Sequence, residues 1–291
     1  MLLTKNWIYL DLQKTGCTFL RENLLEIFPK NIFVQTAKHS VPEINLNIPK
    51  IITIRDPEKY YFSLWSYGID QKGGLYEAIK IYFPEKLDRF YINKSKDCFS
   101  HFLDFVLNCS TGPRNNLSKN SFRNFLITKF NNKIEKFRKG EFHWLNKYKI
   151  YDEYFWIPRN CDIYTARILR MLIPKSHMQM FSDKLNADFS YQNLEKNLID
   201  YMPEIIIRTS CLNSDFYDYY KKDRLNFLDL PKGWESIFPL HSLPINQSSK
   251  SFKNSKQNDI SNYFSNYHRD LLKLKCNLSY LLLDEAKKYL G

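Results

Sequence analysis

Apolar runs of strand length alternate with helical periodicity in the first part of the chain. Residues 7–12 (WIYLDL) form a short apolar run, and residues 18–28 (TFLRENLLEIF) place apolar side chains at helical spacing. Pro29 follows directly and ends the helical pattern, because proline lacks the N–H group that a continuing helix needs. The pattern therefore predicts a strand followed by a helix.

The same alternation continues up to residue 69. Two more strand candidates follow, residues 31–36 (NIFVQT) and residues 50–56 (KIITIRD). Residues 57–69 (PEKYYFSLWSYGI) then begin with a proline, which is favoured at the first position of a helix. Strand, helix, strand, strand and helix in this order predict an α/β fold with a parallel sheet flanked by helices.

Helical spacing dominates the rest of the chain, apart from one more strand candidate at residues 203–212 and a polar segment rich in Ser, Asn and Lys at about residues 245–259. We predict that the polar segment is a loop or linker. The helix candidates are residues 98–109, 160–174, 213–228 and 259–290. We therefore predict a single domain over residues 1–291, with a largely helical middle and C-terminal region.

Composition limits the classes that this chain can belong to. Its 291 residues are 44% hydrophobic, yet no run reaches the roughly 18 apolar residues of a membrane span. The first residues hold Lys5 as their single basic side chain, and Asp11 interrupts the apolar stretch, which does not fit a signal peptide. The six cysteines form no CxxC pair. We expect a cytoplasmic protein with free thiols and no membrane span.

The chain is basic, with a formal net charge of +12. Such a charge fits a nucleic-acid partner, an anionic surface or a small polyanion. The lysines are spread along the chain in short patches, and no nucleic-acid-binding motif is present. We therefore expect no nucleic-acid partner.

A lysine, two threonines and a glycine lie where the first strand candidate turns into the first helix candidate. This stretch, QKTGCTF, occupies residues 13–19. In a parallel sheet such a loop lies at the carboxyl edge, where ligands bind, and a helix N-terminus favours an anion. Lys14 adds a charge, Thr15 and Thr18 add hydroxyl donors, and Gly16 permits a close backbone approach. The stretch is built like a phosphate cradle, although an ordinary helix start with an exposed lysine would look the same.

A second element repeats this arrangement at residues 53–68 (TIRDPEKYYFSLWSYG). Arg55 would lie at the end of a strand, and Ser63 about two turns into the next helix. An arginine and a hydroxyl group that converge on one edge can hold a second phosphate. The alternative is a surface arginine paired with Asp56 and a serine on a helix surface.

These two elements together resemble the sulfotransferases that use 3′-phosphoadenylyl sulfate (PAPS). QKTGCT resembles their 5′-phosphosulfate loop, and RDP with a serine eight residues after the arginine resembles their 3′-phosphate motif. The form QKTGCT is closest to the carbohydrate O-sulfotransferases. The resemblance covers about the first quarter of the chain and implies a P-loop-like sheet. Tyr60 departs from the pattern, because the family usually has an arginine there.

Weaker similarities lie further along the chain. IIIRTSCLNSDF, residues 205–216, resembles a strand and helix of bacterial members of the family. LPINQSS, residues 243–249, resembles the segment that covers the cofactor, which makes Asn246 and Ser248 candidate cofactor contacts.

The resemblance implies a role for each candidate residue. Lys14 would stabilise the charge that grows on the leaving phosphate, while Thr15, Gly16, Cys17 and Thr18 would hold the 5′-phosphate. In addition, Arg55 and Ser63 would hold the 3′-phosphate, and no metal is implied. The product would be PAP, and the acceptor would be a hydroxyl group of a carbohydrate or glycolipid.

The acceptor hydroxyl needs a general base, for which histidine has a suitable pKa. Our first candidate is His39, because it follows the strand candidate 31–36, whose end should lie on the ligand edge. We expect the nearby cations Lys14 and Arg55 to lower its pKa, and the negative charge of a bound cofactor to raise it again. The second candidate is His241, and Glu43 stays open as a carboxylate base.

Two other functions remain open at this stage. One is a P-loop-like small-molecule kinase, although the chain lacks the GxxxxGK[ST] loop and a clear magnesium-binding carboxylate. The other is a basic nucleic-acid-binding protein, against which the dispersed charge argues.

Overall fold

The computed structural model describes residues 1–40, 47–108, 162–174, 176–177, 180–181, 190–238 and 260–290. These residues form an α/β structure in which helices flank a four-stranded mixed sheet. The predicted loop at about 245–259 lies outside the described residues.

The sheet has the strand order β1 (Leu2–Leu3), β2 (Ile8–Leu10), β3 (Lys50–Ile54) and β4 (Ile205–Arg208). Strands β2, β3 and β4 are parallel, whereas β1 is antiparallel to β2. The carboxyl ends of the three parallel strands therefore meet at one edge, the position at which open α/β folds bind ligands.

Most helix candidates are confirmed to within a few residues wherever the structure describes them. Pro57 starts its helix as predicted, with the Asp56 carboxylate accepting a hydrogen bond from the Lys59 N–H at 3.1 Å. The helices are α1 (Cys17–Ile27), α2 (Pro57–Ile69), α3 (Gly74–Tyr82), α4 (Leu87–Tyr91), α5 (Lys96–Asn108), α6 (Ile163–Leu172), α7 (Tyr191–Leu198), α8 (Leu212–Lys221), α9 (Trp234–Ile237), α10 (Asn266–Lys275) and α11 (Asn277–Leu290).

Both faces of the sheet are covered, so the parallel strands are apolar on both sides. On β3, Ile52 and Ile54 face one hydrophobic core, which includes residues of α2, α5, α6 and α11. Ile51 and, on β4, Ile205 and Ile207 face a second core formed with α1, α8 and α9. This double covering explains why the strands read as continuous apolar runs in the sequence.

The strand predicted at residues 31–36 is wrong. Residues Lys30–Ile32 form a single 3-10 turn, and Gln35 makes an isolated bridge to Leu3. Phe33 packs edge-on against Trp7, with ring centroids 6.0 Å apart, and Val34 is 64% exposed. Ile32 and Phe33 are consecutive and both pack against a core, so the segment lacks the alternation of a strand and only its Gln35 pairs with the sheet edge. The neighbour of β2 on this side is β1, which was not predicted and makes the sheet mixed.

Candidate functional site

The loop between β2 and α1 approaches the neighbouring helix closely. Gly16 is the N-cap of α1 and has a φ of 77°, and a Cβ atom there would lie only 2.7 Å from Cδ1 of Leu212. Lys14 also adopts a left-handed conformation, with a φ of 66°. Gly16 has no side chain that could cap α1, and unpaired first-turn N–H groups at a helix start favour an anion.

Side chains from the neighbouring strand ends hold this loop in place. Nη1 of Arg55 donates to the Lys14 carbonyl at 3.1 Å. The Thr209 hydroxyl lies 2.8 Å from the carbonyl oxygens of both Thr15 and Ile54. The ends of β2, β3 and β4 are therefore connected, and the two motifs that the sequence analysis singled out meet at one place.

Arg55 has a buried donor without a partner in the described part of the chain. Its Nε atom is buried and makes no hydrogen bond there. Burial lowers the pKa of Arg55, although Tyr164 and Asp56 oppose this. A buried donor of a charged group costs about 1–3 kcal/mol or more when unpaired, so this group is well suited to an anionic ligand.

The Lys14 ammonium lies in a cationic environment. Its Nζ atom sits 3.0 Å from the centroid of the Tyr67 ring. Burial, followed by the charges of Arg167 and Arg55, lowers the pKa of Lys14 to about 7. A bound polyanion would raise this pKa again, because an opposite charge favours the protonated form.

Replacing Lys14 by methionine should stabilise the ligand-free protein. The unfolded chain holds this proton up to its ordinary pKa of 10.5, whereas the folded chain releases it near 7. The charge on Lys14 therefore costs stability in full below pH 7, and the cost disappears above pH 10.5. We expect a gain of about 1–2 kcal/mol at pH 6, which corresponds to a rise in Tm of about 2–4 °C per kcal/mol.

Thermal unfolding at pH 6 and pH 10 checks this expectation. The gain from Lys14→Met should shrink at the higher pH, and Lys30→Met, which replaces an exposed lysine, should give no such pH dependence. An equal gain in stability at both pH values would show that the Lys14 charge does not destabilise the free protein.

Ser63 lies on the face of α2 that points to these cations. Tyr60, Ser63 and Tyr67 share this face, since residues three and four apart on a helix are neighbours. The Lys14 ammonium lies over the Tyr67 ring in a cation–π contact. The Tyr60 hydroxyl accepts a hydrogen bond from Nη1 of Arg167 at 2.7 Å. The Ser63 hydroxyl makes no hydrogen bond within the described residues. It is thus open to a ligand that the surrounding cations attract.

The remaining loop residues play different parts. The Thr15 hydroxyl is buried, donates to the Leu12 carbonyl at 2.7 Å and lies 2.7 Å from the Thr53 hydroxyl, so it does not face a ligand. Thr18 is half-buried, and its hydroxyl accepts from the exposed Lys38 ammonium at 3.3 Å. Burial raises the pKa of the Cys17 thiol to about 11, so this thiol is protonated and packs in the core.

His39 lies at the exit of β2, although not for the reason that we expected. It follows no strand; instead its backbone N–H donates to the Asp11 carboxylate at 2.8 Å. Its Nδ1 lies 2.6 Å from the Asp11 carbonyl oxygen. A carbonyl only accepts, so Nδ1 carries the proton and Nε2 of the neutral ring keeps a free lone pair.

The pKa of His39 is lowered, as predicted, but the first cause is burial of the ring. Lys38 and the Met1 ammonium add to the effect, whereas the hydrogen bond to Asp11 opposes it. The expectation that Lys14 and Arg55 cause the shift is therefore wrong. The neutral, proton-accepting form of His39 is favoured near pH 7.

Several candidates lie outside the described residues. These are Asn246 and Ser248, proposed as cofactor contacts, and the alternative bases His241 and Glu43.

Four further residues of this site were not predicted. Asp11 contacts His39, and Lys38 contacts Thr18. The Thr209 hydroxyl links the loop to the end of β3 by hydrogen bonds. Arg167 reaches the face of α2 from α6. The position of Asp11 directly after a strand was a usable signal, since strand ends meet at this edge, but no local pattern marks the other three.

Within the described residues, no helix is long and apolar enough to cross a membrane. No group of three or more His, Cys, Asp or Glu side chains in the same residues is arranged to hold a metal ion.

Comparison of the chain with protein-family models, with curated proteins and with solved structures gave no match.

Proposed function

We propose that this protein is a PAPS-dependent sulfotransferase that acts on a hydroxyl group of a carbohydrate or glycolipid. The observation that carries the proposal is the hydrogen bond from Arg55 to the Lys14 carbonyl, at 3.1 Å. It joins two motifs that lie 41 residues apart in sequence, each of which follows a parallel strand. Together they form one cationic edge suited to a ligand with two separate phosphate groups.

The residues present fit such a ligand. The uncapped start of α1 offers backbone N–H groups, and the close approach at Gly16 leaves no room for a side chain. Arg55 brings a buried donor without a partner among the described residues, and Ser63 brings an open hydroxyl group. We assign the 5′-phosphate to the α1 start with Lys14, and the 3′-phosphate to Arg55 and Ser63.

The chemistry divides between the ligand and the protein. PAPS, when bound, supplies the sulfuryl group. Lys14, which is half-buried, would hold positive charge at the leaving phosphate, where negative charge develops. Nε2 of His39 accepts the proton of the acceptor hydroxyl. The form of the QKTGCT motif supports a carbohydrate acceptor.

PAP should stabilise the protein far more than 5′-AMP does. The two ligands differ by the 3′-phosphate, and charge-assisted hydrogen bonds contribute roughly 1.5–3 kcal/mol each. We therefore expect PAP to bind at least tenfold more tightly, measured by thermal shift and by calorimetry. Ser63→Ala should reduce this preference, while Ser214→Ala, which changes an exposed serine of α8, should not.

The competing functions give different results in the same screen. A kinase would respond to ATP with Mg²⁺ more strongly than to PAP, whereas a nucleic-acid-binding protein would bind DNA with a steep salt dependence. Equal responses to PAP and 5′-AMP would remove the 3′-phosphate assignment. Retention on heparin that survives Lys14→Ala and Arg55→Gln would reflect the net surface charge alone.

A further inference from the structure

Arg167 reaches the candidate site from α6, in a region where the sequence showed no motif. Its Nη1 atom donates to the Tyr60 hydroxyl at 2.7 Å. The Tyr60 ring also stacks on Tyr164, with centroids 3.6 Å apart and an angle of 13° between the ring planes. Tyr164 and Arg167 are three residues apart and therefore share one face of α6. That face packs against the face of α2 that carries Ser63.

Hydrogen bonds join the end of β3 to the same face of α6. The Tyr164 hydroxyl lies 2.8 Å from both the backbone nitrogen and the carbonyl oxygen of Arg55. This contact fixes Arg167, one helical turn further along, next to the strand end from which Arg55 extends. Three contacts thus set the position of Arg167. They are its own hydrogen bond to Tyr60, the hydrogen bonds between Tyr164 and the Arg55 backbone, and the stack of Tyr60 on Tyr164.

Three cations converge at this edge. Arg167 lowers the pKa of Lys14 more than Arg55 does, which places its charge near the Lys14 ammonium. Asp56, the carboxylate next to Arg55 in sequence, is used as the N-cap of α2. Like charges that are partly buried together repel one another, and a ligand with several negative charges removes that cost.

We propose that Arg167 is a third ligand-binding cation of this site and that it contacts the phosphate group held by Ser63. The Tyr60 hydroxyl acts as a positioning group, because it orients the guanidinium towards that phosphate. Arginine suits this task, since its planar guanidinium binds phosphate through two parallel hydrogen bonds. The identity of the phosphate as the 3′-phosphate of PAP rests on the proposed function.

Titration of PAP into the wild-type protein and into Arg167→Gln, followed by calorimetry, tests the proposal. We expect PAP to bind at least tenfold more weakly to the variant. The matched control is Arg224→Gln, which removes one positive charge from an exposed arginine beyond the end of α8. This control should change the affinity less than twofold, because exposed charges at a distance are screened by salt. Equal affinities of the two variants would overturn the proposal.

Two further variants keep the test decisive if Arg167→Gln does not fold. Arg167→Lys retains the charge but loses the planar fork, and Tyr60→Phe removes only the hydroxyl that orients it. Each should weaken PAP binding by about threefold to tenfold at an unchanged far-UV circular dichroism spectrum. Wild-type affinity in both folded variants would contradict the assigned contact.

The pH dependence of PAP binding tests separately whether the Arg167 charge lies beside Lys14. Loss of the Arg167 charge should raise the pKa of Lys14, so the weakening of PAP binding at high pH should begin at a higher pH in Arg167→Gln. A wild-type protein that fails to bind PAP would remove the proposed function. A wild-type protein that binds PAP, with Arg167→Gln unimpaired, would remove the role of Arg167 alone.

Discussion

Replacing His39 by alanine should lower turnover by about two to four orders of magnitude while PAP affinity stays nearly unchanged. The proposed role as a base needs a lone pair on the ring, and Nε2 has one in the neutral form because Nδ1–H donates to the Asp11 carbonyl. A general base acts on the acceptor alone, so its loss should spare the binding of the nucleotide. The measurement needs an acceptor, which a panel of hydroxylated glycans must first provide.

The pH profile should identify His39 more directly than the loss of rate. Only the neutral ring accepts a proton, so kcat/KM should fall as the pH drops through the pKa of His39, which burial holds below 6.5. A second fall should occur as the pH rises through the pKa of Lys14, about 7 in the free protein. A bound polyanion should raise the pKa of both His39 and Lys14, so both falls should occur at higher pH in the profile of kcat. In His39→Ala the acidic fall should disappear.

A matched control is His101→Ala, because His101 lies on α5 and contacts Arg89 at 3.0 Å. This variant should retain turnover. If His39→Ala kept its turnover while His241→Ala lost it, the base would be His241 and the assignment of the phosphate site would be unaffected.

Replacing Lys14 by alanine should lower turnover by about two to three orders of magnitude, the scale observed when one donor to a developing charge is removed. PAP affinity should suffer less, because the charge that Lys14 stabilises exists in full only during transfer. Steady-state rates together with calorimetric titration of PAP separate the two effects. Lys14→Ala should also fold, given that Lys14 makes no ion pair among the described residues and its charge is held at a cost.

Lys38→Ala is the matched control for this experiment. Lys38 is exposed and contacts the Thr18 hydroxyl at 3.3 Å, so its loss should reduce PAP affinity modestly and leave kcat close to that of the wild type. Near-normal turnover of Lys14→Ala would show that Lys14 is a helix-start lysine without a part in the reaction.

The folded protein confirms most of the predictions that depend on local periodicity, with the strand at 31–36 as the exception. The apolar run at 7–12 contains β2, the run at 50–56 contains β3, and the helix predicted at 57–69 is observed with the same ends. These elements are encoded by residues close together in the chain, through side-chain spacing and the proline at the helix start. The two motifs lie close together for a related reason: each follows a predicted strand, and parallel strands end at one edge of their sheet.

The stretch 31–36 shows where local periodicity stops being informative. Its apolar residues were compatible with a strand, but the sheet edge next to β2 is occupied by β1. Which segment pairs with an edge depends on competition between distant parts of the chain, and no window of a few residues contains that information. His39 nevertheless lies at the exit of β2, held by Asp11.

The sequence by itself determined the α/β alternation and the position of the two motifs after strands, whereas the candidate roles of Lys14, Arg55 and Ser63 come from the family resemblance. It did so because strands, helices and their starts are set by neighbouring residues. Only the tertiary structure decided that the Thr15 hydroxyl turns inwards, that Nε of Arg55 is buried without a partner among the described residues, and that Arg167 contacts Tyr60. The last contact links residues 107 positions apart, and packing of α6 on α2 creates it.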